Sequence, residues 1–157
     1  MCEYCGCQSI TEIKRLTEEH DTVVNLISFV QTAHTAGDRD RMAALARQIS
    51  RVLGPHTAVE ENGLFPLMKA DFPGQIAALE DEHRLVEKVL GEASVGTPAD
   101  PDWPDRLVAT LDLLRDHILK EQDGVFPAAL TSLSGDDWET VALVRSTLDD
   151  LRGRAAA

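Results

Sequence analysis

Beyond residue 7 the chain has no cysteine. Cys2, Cys5 and Cys7 are its three thiols, so no disulfide framework staples the fold and a hydrophobic core must hold it. Aromatic residues make up only 4% of the sequence against 43% hydrophobic residues overall. The core therefore rests on Ala, Leu and Val, a composition that favours helices. No apolar run approaches the roughly 18 residues that span a bilayer. Basic residues are outnumbered, 15 Lys and Arg against 27 Asp and Glu. The resulting formal charge of −12 speaks against nucleic acid or an anionic membrane surface as partner and is read as a source of solubility. No basic segment followed by an apolar one opens the chain, which sets a cytoplasmic expectation. A length of 157 residues suits one domain with a sizeable core.

An eleven-residue stretch occurs twice. His56-Thr-Ala-Val-Glu60-Glu-Asn-Gly-Leu-Phe-Pro66 returns sixty-one positions later as His117-Ile-Leu-Lys-Glu121-Gln-Asp-Gly-Val-Phe-Pro127. Each copy sets a histidine and a glutamate at i and i+4, one turn apart on one helix face. That spacing offers one imidazole and one carboxylate per helix to a metal ion.

The rest of the chain repeats as well. Ile13, Leu16, His20, Val23 and Ile27 map at an offset of sixty-three onto Ile76, Leu79, His83, Val86 and Leu90. Both sets follow a 3-4-3-4 spacing, an apolar helical seam interrupted by a histidine. Residues 1–8 read as a cysteine-containing tail. Residues 9–157 read as an all-α unit, an up-down-up-down four-helix bundle with an additional C-terminal helix. The first helix is expected from Ser9, with Glu12 as its capping-box partner, to Gly37. The second runs from about Arg39, with Gly54-Pro55 disturbing the backbone just before His56. The third spans about 75–92, and the fourth starts after Asp102 as N-cap. A capping box at Ser134–Asp137 opens the last helix, with Trp138, Val141, Leu143 or Val144, and Leu148 inward and Gly153 at its end.

In such a bundle His20, His56, Glu60, His83, His117 and Glu121 face inward at one level. A single histidine in an apolar stripe is ordinarily a satisfied core residue. Four at matching offsets, with two glutamates that would be costly anions without a cation, make a metal site. Two carboxylates beside four imidazoles suit a pair of ions about 3.5–4 Å apart, with charge left for an oxide or hydroxide bridge. Imidazole and carboxylate ligation without thiolate suits iron, and also manganese or zinc.

These motifs make the chain resemble the hemerythrin-like family, often named for its His-His-Glu cation-binding domain. The double His-x3-Glu followed by Leu/Val-Phe-Pro carries the resemblance, which covers about residues 9–133. It implies a four-helix bundle with a non-haem di-iron centre, with His20, His56, Glu60, His83, His117 and Glu121 as ligands and Glu60 and Glu121 bridging. The oxygen-carrying members have a fifth histidine one turn from the third helix's ligand. Leu79 and Glu87 hold those positions here, so the expectation is reaction with O2, peroxide or nitric oxide, in sensing or oxidative stress, rather than reversible carriage. Two alternatives are a peroxide-decomposing, catalase-like enzyme and repair of iron–sulfur centres under nitrosative stress. The latter is suggested because repair proteins similar to this chain carry N-terminal cysteines. Cys2-x2-Cys5-x-Cys7 is one thiolate short of a closed zinc site, and its role stays open. Glu61 and Gln122 follow the ligands and are candidates to hold ring N–H groups, while His34 is read as a helix-end residue. Gly63 and Gly124, costly in a helix, suggest close backbone packing.

Overall fold

The computed structural model describes the backbone of residues 6–157 and the side chains of residue 9 and residues 11–157. Cys2, Cys5 and the Cys7 side chain lie outside the described residues. Among the described residues there is no strand, and no helix is long and apolar enough to cross a membrane. The long helices are α1 (Gly6–Thr35), α2 (Arg39–Val59), α4 (Pro73–Gly91), α5 (Trp103–Lys120) and α7 (Gly135–Ala156). The short α3 (Phe65–Met68) and α6 (Phe126–Ser132) extend α2 and α5 beyond two π-helical turns, Glu60–Leu64 and Glu121–Val125. Helix α1 packs on α2, α2 on α4, α4 on α5, and α5 back on α1, while α7 lies on α1, α2 and the first π turn.

The turns follow from local chemistry. Gly37 adopts φ +68° between α1 and α2, a left-handed conformation that glycine takes without strain. Asp38 then caps α2, accepting from the Arg41 backbone N–H at 3.0 Å. Pro73 and Pro104 sit in the first turns of α4 and α5, where no intrahelical donor is lost. The Ser134–Asp137 capping box forms in both directions, at 2.9 and 3.2 Å.

Several local expectations are corrected. Helix α1 already includes Gly6, ahead of Ser9, so Glu12 is no cap; it is buried and paired with Arg145. The Asp102 side chain makes no cap hydrogen bond; its backbone N–H instead donates to Asp100. Helix α7 passes through Gly153 to Ala156, and its buried residues are Trp138, Val141 and Arg145, with Leu143 exposed. Helix α2 runs unbroken through Pro55. The backbone irregularity falls four residues after His56, at the π turn, and recurs at the same place in the second repeat. In each copy the Phe N–H reaches the carbonyl five residues back, Phe65 to Glu60 and Phe126 to Glu121. Pro66 and Pro127 follow at once. Proline has no N–H to donate, and its ring crowds the carbonyl four residues earlier, so a widened turn relieves both problems.

The apolar interior forms two clusters. One holds Val23, Ile27, Ile49, Val86, Leu90, Leu111 and Leu114; the other holds Leu16, Val59, Phe65, Leu79, Phe126 and Trp138. On α1 the change from one cluster to the other falls at His20, on α2 at His56 and on α4 at His83; on α5 the first cluster runs to Ile118, beside His117, and the second resumes at Phe126 on α6. A polar layer is thus enclosed between two hydrophobic ones. The two halves are not covered alike. A Cβ on Gly63 would touch Val141 and Val144 of α7 at 3.5 Å, but one on Gly124 would meet nothing within 4 Å. Gly124 instead lines an open groove with Ile76, Leu79 and Ala128. Close backbone packing therefore holds for the first glycine and not the second.

Candidate metal centre

The structure brings all six expected side chains together. His20, His56, Glu60 and Glu121 form one group and Glu60, His83, His117 and Glu121 another, each with ligand atoms within 4.8 Å of one another. The two groups share both carboxylates. All six residues are at most 5% exposed. The helical i,i+4 spacing sets His56 Nε2 3.0 Å from Glu60 Oε1 and His117 Nε2 2.9 Å from Glu121 Oε1. From the other two helices, His20 Nε2 comes within 3.4 Å of Glu121 and His83 Nε2 within 3.3 Å of Glu60. The imidazoles lie in pairs, His20 with His56 at 4.5 Å and His83 with His117 at 4.6 Å between ring centres.

None of the four Glu60 and Glu121 oxygens has a hydrogen-bond partner among the described residues. The nearby imidazole nitrogens approach them without hydrogen-bond geometry. A buried carboxylate left this way costs several kcal/mol, and a cation between the groups offsets that cost. The proton affinities agree. Burial alone lowers the His56 pKa, but Glu60, Glu19 and Glu121 outweigh it and raise it to about 10. The same opposition lifts His83 to about 9 and raises His117. Burial raises the Glu60 pKa, yet His56 and His83 hold it well below the usual carboxylate range. Protonated imidazoles here supply positive charge that a metal ion supplies better, with deprotonated nitrogens turned toward it.

A second ring of carboxylates orients the imidazoles. Glu19 accepts from His56 Nδ1 at 2.6 Å, Glu61 from His83 Nδ1 at 2.8 Å and Glu82 from His117 Nδ1 at 2.7 Å. Each of these carboxylates is in turn held by a cation: Glu19 by Arg145 at 2.7 Å, Glu61 by Arg84 and Glu82 by Lys120. Of these, sequence reasoning finds only Glu61 and misses Glu19, Glu82, Arg84, Lys120 and Arg145. The available sign is the dipeptide Glu-His, present at 19–20 and again at 82–83. Each such glutamate serves the histidine of a neighbouring helix, not the one beside it in sequence. The repeated phenylalanines also take a role: Phe126 stacks on His20 at 5.6 Å and Phe65 on His83 at 5.7 Å.

A cavity of about 220 Å³ opens against the four histidines. Its walls include Leu53, Val86, Leu90, Leu114 and Ile118, with Glu87 among the polar groups. Glu87 is half-exposed and lies 3.6 Å from Arg84. Leu79 is buried in the apolar cluster on the other side of the polar layer. His34 is remote from the centre and bonds Asp105 at 2.7 Å.

The profile of the hemerythrin HHE cation-binding domain matches residues 11–129. Among curated proteins, the chain is 25% identical over 122 residues to a protein of Nostoc sp. (strain PCC 7120 / SAG 25.82 / UTEX 2576) named "DNA nickase". The match covers 77% of this chain and 34% of that relative, so the chain spans about a third of its length. No solved structure gives a significant match.

Proposed function

The chain belongs to the hemerythrin HHE cation-binding domain family, and on that premise we propose that it is a non-haem di-iron protein that binds or reacts with O2, peroxide or nitric oxide. The observation that carries this reading is the pair of His/His groups sharing two buried, unpartnered carboxylates. His20 and His56 would hold one ion, His83 and His117 the other, and Glu60 and Glu121 both. Four protein donors per ion are fewer than an octahedral iron accepts, which leaves room for a small ligand. When bound, the two irons supply electrons for reducing O2 or peroxide. The up-down-up-down course of α1, α2, α4 and α5 belongs to the same proposal, supported by their neighbour order and short connections.

The chain's own residues shape access. The aliphatic cavity walls admit a small apolar molecule and discourage bulk water. Glu19, Glu61 and Glu82 fix the imidazole tautomers with Nε2 toward the centre. Glu87, half-exposed and lining the cavity, is placed to move a proton between solvent and a ligand there. That position favours a second reading, decomposition of peroxide, over reversible carriage. The DNA nickase activity in the name of the Nostoc relative is not carried over. The net charge of −12 opposes approach to a phosphate backbone.

Metal analysis of natively purified protein tests the proposal. Two irons per chain are expected, with Glu60→Ala or Glu121→Ala lowering that number sharply. One ion per chain, unchanged by either substitution, would sink the shared-carboxylate centre. Rapid gas evolution from peroxide by the iron-loaded protein would establish the second reading.

A further inference from the structure

The two halves of the centre differ by one hydrogen bond. His83 and His117 both donate Nδ1–H to a carboxylate, Glu61 and Glu82. In the other half only His56 does so, to Glu19. His20 Nδ1 is buried and has no hydrogen-bond partner among the described residues. The cause is visible in the repeat. Gln122 stands in the second copy where Glu61 stands in the first. It is half-buried and makes no bond to His20.

Resting on the di-metal reading above, we propose that the halves bind cations unequally: the His83/His117 half fills first, and the His20/His56 half is the exchangeable one. A carboxylate on Nδ1–H fixes the tautomer, restrains the ring and makes Nε2 more basic. Loss of such a partner typically lowers metal affinity about 10–100-fold. Around the His20 and His83 rings themselves the two halves match closely. His20 and His83 stack on equivalent phenylalanines at nearly equal distance, 5.6 and 5.7 Å. Their Nε2 atoms lie 3.4 and 3.3 Å from the shared carboxylates. Glu19, Glu61 and Glu82 each have a cationic partner, although Arg145 is shared between Glu19 and Glu12. At limiting metal the chain is then a defined one-ion species. Two-electron chemistry waits on filling the His20 half, which couples activity to cation supply.

The test titrates metal-free protein with Co2+, read by visible absorption and calorimetry. Two steps differing about 10–100-fold in affinity are expected. Repulsion between the ions splits the steps even in a symmetric site, so variants assign them. His20→Ala should keep the tight step and lose the weak one, and His83→Ala should do the reverse. Gln122→Glu should strengthen the weak step about tenfold, and Glu61→Gln should weaken the tight one to a similar degree. Circular dichroism confirms that each variant is folded. Loss of the tight step in His20→Ala, or equal effects of His20→Ala and His83→Ala, overturns the proposal while leaving a two-ion centre standing. A wild-type chain that takes fewer than two Co2+ overturns the di-metal reading itself.

Discussion

Arg145, near the middle of the last helix, donates to Glu19 at 2.7 Å, and the other oxygen of Glu19 accepts from His56 at 2.6 Å. Arg145 lies in sequence well beyond Glu121, the last of the six site residues, yet only two hydrogen bonds separate it from an imidazole of the centre.

Arg145 also pairs with Glu12 at 2.8 Å, and Arg145 and Glu12 are 3% and 2% exposed. Arg145→Met leaves Glu12 a buried, uncompensated anion, which should cost about 3–5 kcal/mol. Adding Glu12→Gln should recover part of that loss. Lys120→Met removes the half-exposed cation of the other half and should cost under about 1 kcal/mol. Urea denaturation at fixed metal loading checks all three. Equal losses for Arg145→Met and Lys120→Met would contradict the burial argument.

Metal-free protein should be least stable at the two ends of the pH range. The His56 and His83 pKa values are raised to about 10 and about 9 from an ordinary 6.5. Their contribution is full below pH 6.5 and is lost as pH rises through 9 and 10. The Glu60 pKa is depressed from an ordinary 4.5, so its contribution is present above pH 4.5 and is lost as pH falls. Melting temperature against pH should therefore peak between about 5 and 7. Bound metal replaces the protons, so the metal-loaded protein should hold its stability to higher pH and lose its ions in acid. Matching alkaline profiles with and without metal would rule this out.

Gly63 and Gly124 should respond differently to a large side chain. Gly63→Leu must displace Val141 and Val144 and should cost about 1–3 kcal/mol. Gly124→Leu enters the open groove and should be neutral or stabilising by up to about 1 kcal/mol through helix propensity. Thermal melts of the two variants decide it; a destabilised Gly124→Leu would mean that the groove is not free.

Glu87 and Leu79 are the two positions where a fifth histidine would stand, and only Glu87 lines the cavity. Glu87→His should add a donor and slow oxidation of the reduced, iron-loaded protein by O2. Leu79→His buries an imidazole in an apolar cluster and should lower stability without slowing oxidation. Stopped-flow absorbance after mixing with O2 measures the rates. If the wild-type spectrum instead reverses fully over repeated deaeration, the protein is a carrier.

The helices and the six inward residues are legible in the sequence because helical periodicity is local. His56 and Glu60 share a face whatever surrounds them, and the offsets of sixty-one and sixty-three repeat that face in the second half. What only the tertiary structure decided lies between helices. Glu19 and Glu82 stand next to His20 and His83 in sequence but serve His56 and His117, a choice set by which helices adjoin. In sequence Arg145 is one charged residue on a polar helix; it becomes support for the centre only because α7 lies over α1. The unequal fates of Gly63 and Gly124 have the same origin. The repeat is nearly symmetric, but the chain has one α7, which covers one half and leaves the other open. No local pattern in the chain encodes that asymmetry, because it arises from packing between helices far apart in sequence.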